Sequence, residues 1–410
     1  AYFYHQPGQA FAAGQDSENQ LLVTANSSQF TSDTHWLRSD VDAFFVQKAI
    51  DAGALYFDQS TIIEQQSQGH QRFVIEREGQ RHTIDARFLL VATGNPQLWN
   101  GAMTIPSTGI LPRTNTRSIF AHFAGVARFA DVMQSEGQST SVHPFDCDQS
   151  ALHHVFDGGW MWQLRFDDET TSVGFTWDAR RHPADSQATS KEVFTQWLDR
   201  FPSIKRQFTH ATIVRPDSQL RQVARLQHEL RQAAGDNWAL LPAAVGYSDP
   251  LFSTGIGHSL FAVDSLIKVL GDLDHPERLR EGLNDYGRRL AAEIDLVDRI
   301  VSMAYRASSR FAQYVACTMT YFAAATTCEQ ALKDDPEGSK MPAFLLADGT
   351  DFLESLGVIE QGLRDASCNR DGEETDLRFE AVAREALAPF NHVGLFEPEM
   401  PRMYRYTAAK

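Results

Sequence analysis

Hydrophobic and polar positions divide the chain into three textures. Between residues 35 and 94 they change rapidly. The segment His35-Trp36-Leu37 is extended, and Ser39 followed by Asp42 three residues on predicts a capped helix start. That helix is expected to run to about Asp51, with Gly53 as its stop. Ala54-Leu55-Tyr56-Phe57 reads as a strand, and Thr61-Ile62-Ile63, Arg72-Phe73-Val74-Ile75 and His82-Thr83-Ile84 read as short strands of a meander. Phe88-Leu89-Leu90-Val91 is continuously apolar and ends in Ala92-Thr93-Gly94. A strand of a parallel sheet buried on both faces has this pattern.

From Ser118 to Trp177 the texture becomes that of an antiparallel sheet. The expected strands are Ser118–Phe123, Leu152–Phe156, Trp160–Phe166 and Thr171–Thr176, with turns at Asp157-Gly158-Gly159 and Asp167-Asp168-Glu169. A helical pattern between Lys191 and Phe208 leads to Ala211–Pro216, a strand expected to return toward the first region. Trp238-Ala239-Leu240-Leu241-Pro242 is again a buried strand.

After Gly255 nearly everything has helical spacing. The expected helices are Leu260–Leu270, then Arg278–Met303 with Leu279, Leu283, Tyr286, Leu290, Ile294 and Ile300 on one face. Next comes an apolar, small-residue helix over Phe311–Leu332, bracketed by Arg310 and Glu329, then Asp351–Leu356 and Leu377–Leu387 around a polar loop at 365–375.

Composition narrows the partners. The chain has 410 residues and a net charge of −16, which disfavours nucleic acid and anionic membrane surfaces. Its apolar runs fall short of the roughly 20 residues needed to cross a bilayer, and the first residues have no signal-peptide pattern. Cys147, Cys317, Cys328 and Cys368 show no metal spacing, so reduced thiols in a cytoplasmic setting are expected, with Cys317 and Cys328 in the core. His122, His153 and His154 read as sheet histidines, and no metal site is expected.

Chemistry concentrates in Asp249-Pro250-Leu251-Phe252-Ser253-Thr254-Gly255-Ile256. There a turn opens into a helix and aims unpaired N–H groups and a positive dipole end at an electron-rich ring or an anion. The bland alternative is a turn whose glycine serves close packing and whose Asp249 is only a cap.

With Trp238–Pro242 before it, this segment resembles the second flavin-contacting motif of the flavin-dependent (tryptophan) halogenase-like family of FAD-dependent oxidoreductases and monooxygenases. Ala92-Thr93-Gly94, after its helix and meander, resembles the strand-end turn of a glutathione-reductase-like FAD domain. Arg38, ahead of Asp42, matches that domain's R-x-x-x-D pattern, although a solvated charge at a helix start would look the same. Trp160-Met161-Trp162-Gln163-Leu164-Arg165 resembles the W-x-W-x-I-P signature of flavin-dependent halogenases, with Leu164 and Arg165 as departures. The two tryptophans could equally pack a sheet core.

The resemblance implies an α/β (α+β) chain, in which a partial FAD-binding, glutathione-reductase-like domain carries an inserted antiparallel substrate sheet and a helical C-terminal region. The partition it implies is 1–110 partial FAD domain, 111–210 substrate sheet, 211–272 return to the FAD domain and 273–410 helical region. It implies FAD held by Arg38, Ala92, Thr93, Gly94, Asp249, Pro250, Ser253, Thr254, Gly255 and Ile256, with chloride nearby. Trp160 and Trp162 would line a channel to a small aromatic substrate, and a separate flavin reductase would supply FADH2 for use with O2.

Departures qualify this. No G-x-G-x-x-G turn is present, and Pro242-Ala243 stands where related hydroxylases have G-D. The first lysine, Lys48, matches no motif, so the family's catalytic lysine is absent from this stretch. By itself the stretch is expected not to halogenate and to bind FAD weakly. A non-catalytic, FAD-deficient relative and a reductase or dehydrogenase on the same fold stay open as alternatives.

Overall fold

The structure is a computed structural model and describes residues 1–25, 28, 34–68, 70–94, 105–183, 187–335, 341–368, 372–398 and 400–408. Two units divide the chain. Unit 1 holds Ala1–His35, Arg113–Leu226 and Leu296–Lys410, and unit 2 holds Trp36–Pro112 and Gln227–Asp295.

The elements begin with β1 (Tyr2–Tyr4), β2 (Gln20–Leu21), α1 (Arg38–Asp51), β3 (Thr61–Gln68), β4 (His70–Arg77), β5 (Gln80–Ala86) and β6 (Leu89–Val91). There follow β7 (Thr116–Ala124), α2 (Phe129–Ser135), β8 (Leu152–Phe156), β9 (Gly159–Arg165), β10 (Thr170–Asp178), α3 (Ser190–Arg200), α4 (Pro202–Gln207), β11 (Thr212–Arg215) and β12 (Arg221–Val223). The chain continues with β13 (Ala234–Gly235), β14 (Trp238–Leu240), α5 (Pro242–Val245), α6 (Gly255–Leu270), α7 (Pro276–Ala307), α8 (Phe311–Asp334), α9 (Thr350–Cys368) and α10 (Gly372–Leu387).

In unit 2, β3, β4 and β5 form the expected meander, while β6 lies parallel to β14 in a second small sheet of order β13-β14-β6. Its core joins Val91, Ala239 and Leu240 to Ala262 and Leu266 of α6 and to the Leu279, Leu283, Tyr286, Leu290 and Ile294 stripe of α7. The Tyr286 hydroxyl donates to the Leu240 carbonyl at 2.6 Å, tying helix to strand. Buried Glu293 accepts from Arg289 at 3.2 Å and lies 2.9 Å from His258 Nε2, so its carboxylate is met from two sides.

Three local expectations fail here. Ser39 does not cap α1, because Arg38 opens the helix after Leu37 and takes Asp42 in an i,i+4 ion pair at 2.8 Å. Ala54–Phe57 forms no strand, although Gly53 does end the helix with a φ of +96°. Strand amides need a neighbour, and none pairs with this segment among the described residues. Its Leu55 is 84% exposed. β6 is buried on one face only, with Val91 enclosed and Leu90 49% exposed, because the apolar cluster takes in Leu89 and Val91 and leaves out Leu90 on the other face.

Unit 1 is built on an eight-stranded sheet in the order β11-β7-β10-β9-β8-β1-β2, with β12 also on β7. Asp157-Gly158 closes the β8–β9 hairpin, with Gly158 at a φ of +78°, which only glycine adopts without strain. One face packs Ile119, Phe156, Val173, Phe175 and Trp177 under Phe194 and Trp197 of α3. α3 begins with a Thr189–Glu192 capping box. Truncating Trp197 to alanine would cost about 3–5 kcal/mol.

The apolar helix α8 is buried over most of its length, and burial pushes the Cys317 thiol up to about 12. Three further differences appear. Thr212–Arg215, expected to return to the first region, instead stays in unit 1 and pairs with β7 inside this sheet. The loop expected at 365–375 is largely helix, since α9 runs to Cys368 and α10 starts at Gly372, with 369–371 outside the described residues. Tyr2–Tyr4, where no element is assigned above, forms a strand parallel to β8.

That added strand carries a buried polar chain. His5 Nε2 is 2.9 Å from His154 Nδ1, and His154 Nε2 is 3.0 Å from Gln163. Burial holds His5 down at about 3 and, together with His5 and His153, holds His154 well below the usual histidine range. Both rings are therefore neutral when folded and bind protons on unfolding. Their stabilisation is complete above about pH 6.5 and declines as pH falls toward 3, at roughly 1 kcal/mol per pH unit for each ring. Urea unfolding between pH 7 and 4 is expected to show this slope, flattened in His154→Asn whatever that variant's absolute stability. An unchanged slope would refute the assignment.

Candidate functional site

The parallel pairing of β6 with β14 decides at which end of the sheet the motif-bearing segments emerge. Leu240 lies opposite Val91, and Leu241 N–H donates to the Val91 carbonyl at 2.9 Å. Ala92, Thr93 and Gly94 therefore leave the sheet at the same end as the chain that continues through α5 to Asp249. That is the carboxyl end of a parallel pair, where ligands of open α/β sheets bind.

The Asp249–Ile256 turn is built locally. Asp249 is buried and accepts the Leu251 N–H at 3.2 Å, capping a single 3-10 turn over Pro250–Phe252. Ser253 then takes a left-handed conformation with φ 52°, and α6 opens at Gly255 with Thr254 making no side-chain cap. The first-turn amides of α6 thus receive no cap from Thr254 and keep donor capacity. Burial, and then the Asp249 carboxylate, raise the Tyr247 phenol to about 12, which keeps that group neutral.

Two glycines test the fit to a flat cofactor. A Cβ added at Gly94 or at Gly255 would meet nothing within 4 Å, and neither glycine has a positive φ. Packing within the described residues therefore demands glycine at neither position, and the backbone there can be approached closely. The residues fit a group that needs such access. Arg38 is not joined to them by any hydrogen bond described, and its guanidinium is held by Asp42 on the exposed start of α1.

Trp160 and Trp162 belong to unit 1. Their rings lie 5.7 Å apart on one face of β9, as their spacing requires. Trp160 is 3% exposed and donates its indole N–H to the Tyr305 hydroxyl at 3.0 Å, and Trp162 donates to Ser172 Oγ at 3.1 Å. Gly174 lies opposite Trp162 on β10 because the ring lies over it. A Cβ there would come within 2.2 Å of the indole and 2.7 Å of Phe120 Cβ.

Arg165, where the halogenase signature has proline, secures this sheet. It donates to the Val126 and Ala127 carbonyls at 3.1 and 2.7 Å and reaches Asp148 at 3.4 Å. Asp148, nearly inaccessible, also accepts the Phe129 and Ala130 amides at 2.8 and 2.9 Å at the start of α2. Asp146, Cys147 and Asp148 lie close together, but both carboxylates are already taken by arginines and amides, so the group is read as structural. Asp148 and Gly174 were missed from sequence. The only available signal was the proline-to-arginine change, which asks for an acidic partner without naming one.

This α/β architecture, with one unit built on an antiparallel sheet and another carrying a parallel strand pair and a motif-bearing turn, is that of the FAD-dependent halogenases. The tryptophan halogenase family model matches residues 126–320. Monodechloroaminopyrrolnitrin halogenase PrnC of Pseudomonas fluorescens is 30% identical over 322 residues, covering 76% of this chain and 53% of that protein. Tetracycline 7-halogenase of Kitasatospora aureofaciens is 26% identical over 309 residues, covering 70% of this chain and 53% of that protein. The chain thus spans about half the length of these curated relatives. Among solved structures, the crystal structure of halogenase PltM superposes with a TM-score of 0.83 at 20% identity, covering 98% of this chain and 82% of that one. Its complex with phloroglucinol and FAD superposes with a TM-score of 0.81 at 20% identity, covering 99% and 82%. The chain belongs to the flavin-dependent halogenase-like family.

Gly174→Ala should displace the Trp162 indole and cost about 1–3 kcal/mol, read as a lower Tm together with altered near-UV circular dichroism. An unchanged Tm and spectrum would show that the ring does not depend on the glycine.

Proposed function

We propose that this chain carries the flavin-facing and substrate-facing parts of an FAD-dependent oxidoreductase of the halogenase branch, acting on a small aromatic molecule. The observation that supports this best is that Ala92–Gly94 and the chain leading to the Asp249–Ile256 turn leave the same end of a parallel strand pair, with both glycines open to approach. In this reading those residues, with Arg38, hold FAD. When bound, FAD supplies reduced-flavin chemistry with O2.

The chain's own contribution is orientation and charge. Amide N–H groups at Thr254, Gly255 and Ile256, with the helix dipole behind them, favour negative charge on the ring edge facing them and suit a chloride ion beside it. Trp160 and Trp162 present an aromatic wall to the substrate, held in place by Tyr305 and Ser172. An aromatic substrate agrees with the phloroglucinol held by PltM. A separate reductase as the source of FADH2 belongs to the same proposal. So does a cytoplasmic, reducing setting, in line with four free cysteines. No helix among the described residues is long and apolar enough to cross a membrane.

Titrating the purified chain with FAD and following flavin fluorescence is expected to show saturable binding. Gly255→Val and Gly94→Val should each weaken it roughly tenfold or more by obstructing the backbone. No uptake of FAD, or affinity unchanged in both variants, would overturn the reading and favour an FAD-deficient relative. With reduced flavin, O2, chloride and a phenolic substrate supplied, mass spectrometry then separates halogenated from merely oxidised or reduced product.

A further inference from the structure

Unit 1 contains a cavity of about 360 Å³ that none of the motifs above accounts for. Its walls come from the start of β7, the residues just after β10, and the last turns of α7. Arg180, Arg181 and Arg306 line it together with Thr114, Tyr305 and Asp178. Three guanidiniums thus face one carboxylate in a protein whose net charge is −16, so local charge opposes the charge of the whole.

The single carboxylate is already committed. Asp178 is largely buried and accepts Nε and a terminal nitrogen of Arg180 at 3.0 Å each, together with the Arg180 amide at 2.9 Å. Arg180 also donates to the Arg113 carbonyl at 3.1 Å, which fixes its fork. Arg181 is positioned by Ser308 Oγ at 3.1 Å and by Asp157 at 2.9 Å, and Asp157 is solvent-exposed. Arg306 is exposed and has no hydrogen-bond or ion-pair partner among the described residues.

The rim is rigid. Buried Asp298 of α7 accepts the Arg113 amide at 2.6 Å and the Thr114 hydroxyl at 2.7 Å, fastening the start of β7 to the helix that carries Tyr305 and Arg306. Guanidinium groups match the oxygens of carboxylate and phosphate, and a cavity of this size lies in the range of small-molecule sites.

We propose that this cavity is a binding site for a small molecule carrying a phosphate or carboxylate group, with Arg306 as its principal uncommitted cation and Arg181 beside it. The wall residue Tyr305 accepts the Trp160 indole N–H, so the site adjoins the tryptophan pair within the same unit. An occupant would be held by its anionic group next to the aromatic wall. The site's existence does not depend on FAD binding, because every residue named lies in unit 1.

Isothermal titration at low ionic strength with inorganic phosphate and, separately, with benzoate tests this. At least one is expected to bind saturably with one site per chain, more weakly as salt is raised. Affinity should fall roughly tenfold or more in Arg306→Gln and be partly retained in Arg306→Lys, which keeps the charge but not the fork. Tighter phosphate assigns a phosphate ester, and tighter benzoate a carboxylate. Arg306 makes no bond that the fold needs, so unchanged circular dichroism will confirm an intact variant, and Arg181→Gln provides a second. Absence of saturable binding of both probes would overturn the proposal, as would affinity unchanged in both glutamine variants.

Discussion

The candidate flavin site depends on one pairing, the parallel register that sets Leu240 opposite Val91. Residues about 150 positions apart leave that pair at the same end, so the Ala92–Gly94 turn and the chain leading to the Asp249–Ile256 turn emerge from one edge of the sheet. The stripe of α7 and the Tyr286 hydrogen bond to the Leu240 carbonyl hold the pair from one side. A slip of one residue would turn Val91, Ala239 and Leu240 out of register with that stripe and expose apolar area worth several kcal/mol, so burial pins the geometry of the turns.

Unit 1 follows a different rule, in which buried charge is tolerated because every acceptor is filled. Asp148 takes two amides and an arginine, and Asp298 takes amides and a hydroxyl. A carboxylate enclosed in this way organises the segments around it, since removing any one donor leaves a desolvated charge. The replacement of proline by Arg165 is intelligible on this basis. It departs from a family signature but completes a local network, so it does not by itself argue against the family's chemistry.

Much of the fold was legible because periodicity reports burial directly. The α7 stripe, the apolar α8, the meander and both hairpins of the large sheet stand where their patterns placed them. The errors lie where composition is silent about neighbours. Ala54–Phe57 has the composition of a strand, but no strand pairs with it among the described residues, and Leu90 is in a paired strand yet 49% exposed, outside the apolar cluster that takes in Leu89 and Val91. Thr212–Arg215 has strand character in any sheet, and its partner β7 was decided by the tertiary arrangement. Ser39 does not cap because the helix already starts at Arg38, which puts Ser39 inside the first turn with its hydroxyl on Asp40, a shift of start that spacing alone does not reveal.

By itself the sequence determined the motif-bearing turns, the strand that carries both tryptophans and the family to which they belong, because backbone turns and side-chain alternation are local properties. The tertiary structure decided how these residues are arranged. It sent the Gly94 turn and the chain toward Gly255 out of the same end of a strand pair and left Arg38 held by Asp42. It required glycine at 174 to make room for the Trp162 indole, and it gathered Arg180, Arg181 and Arg306 around one cavity. Proximity between distant segments is set by which apolar faces find cover and which buried charges find partners, and both are properties of the packed molecule.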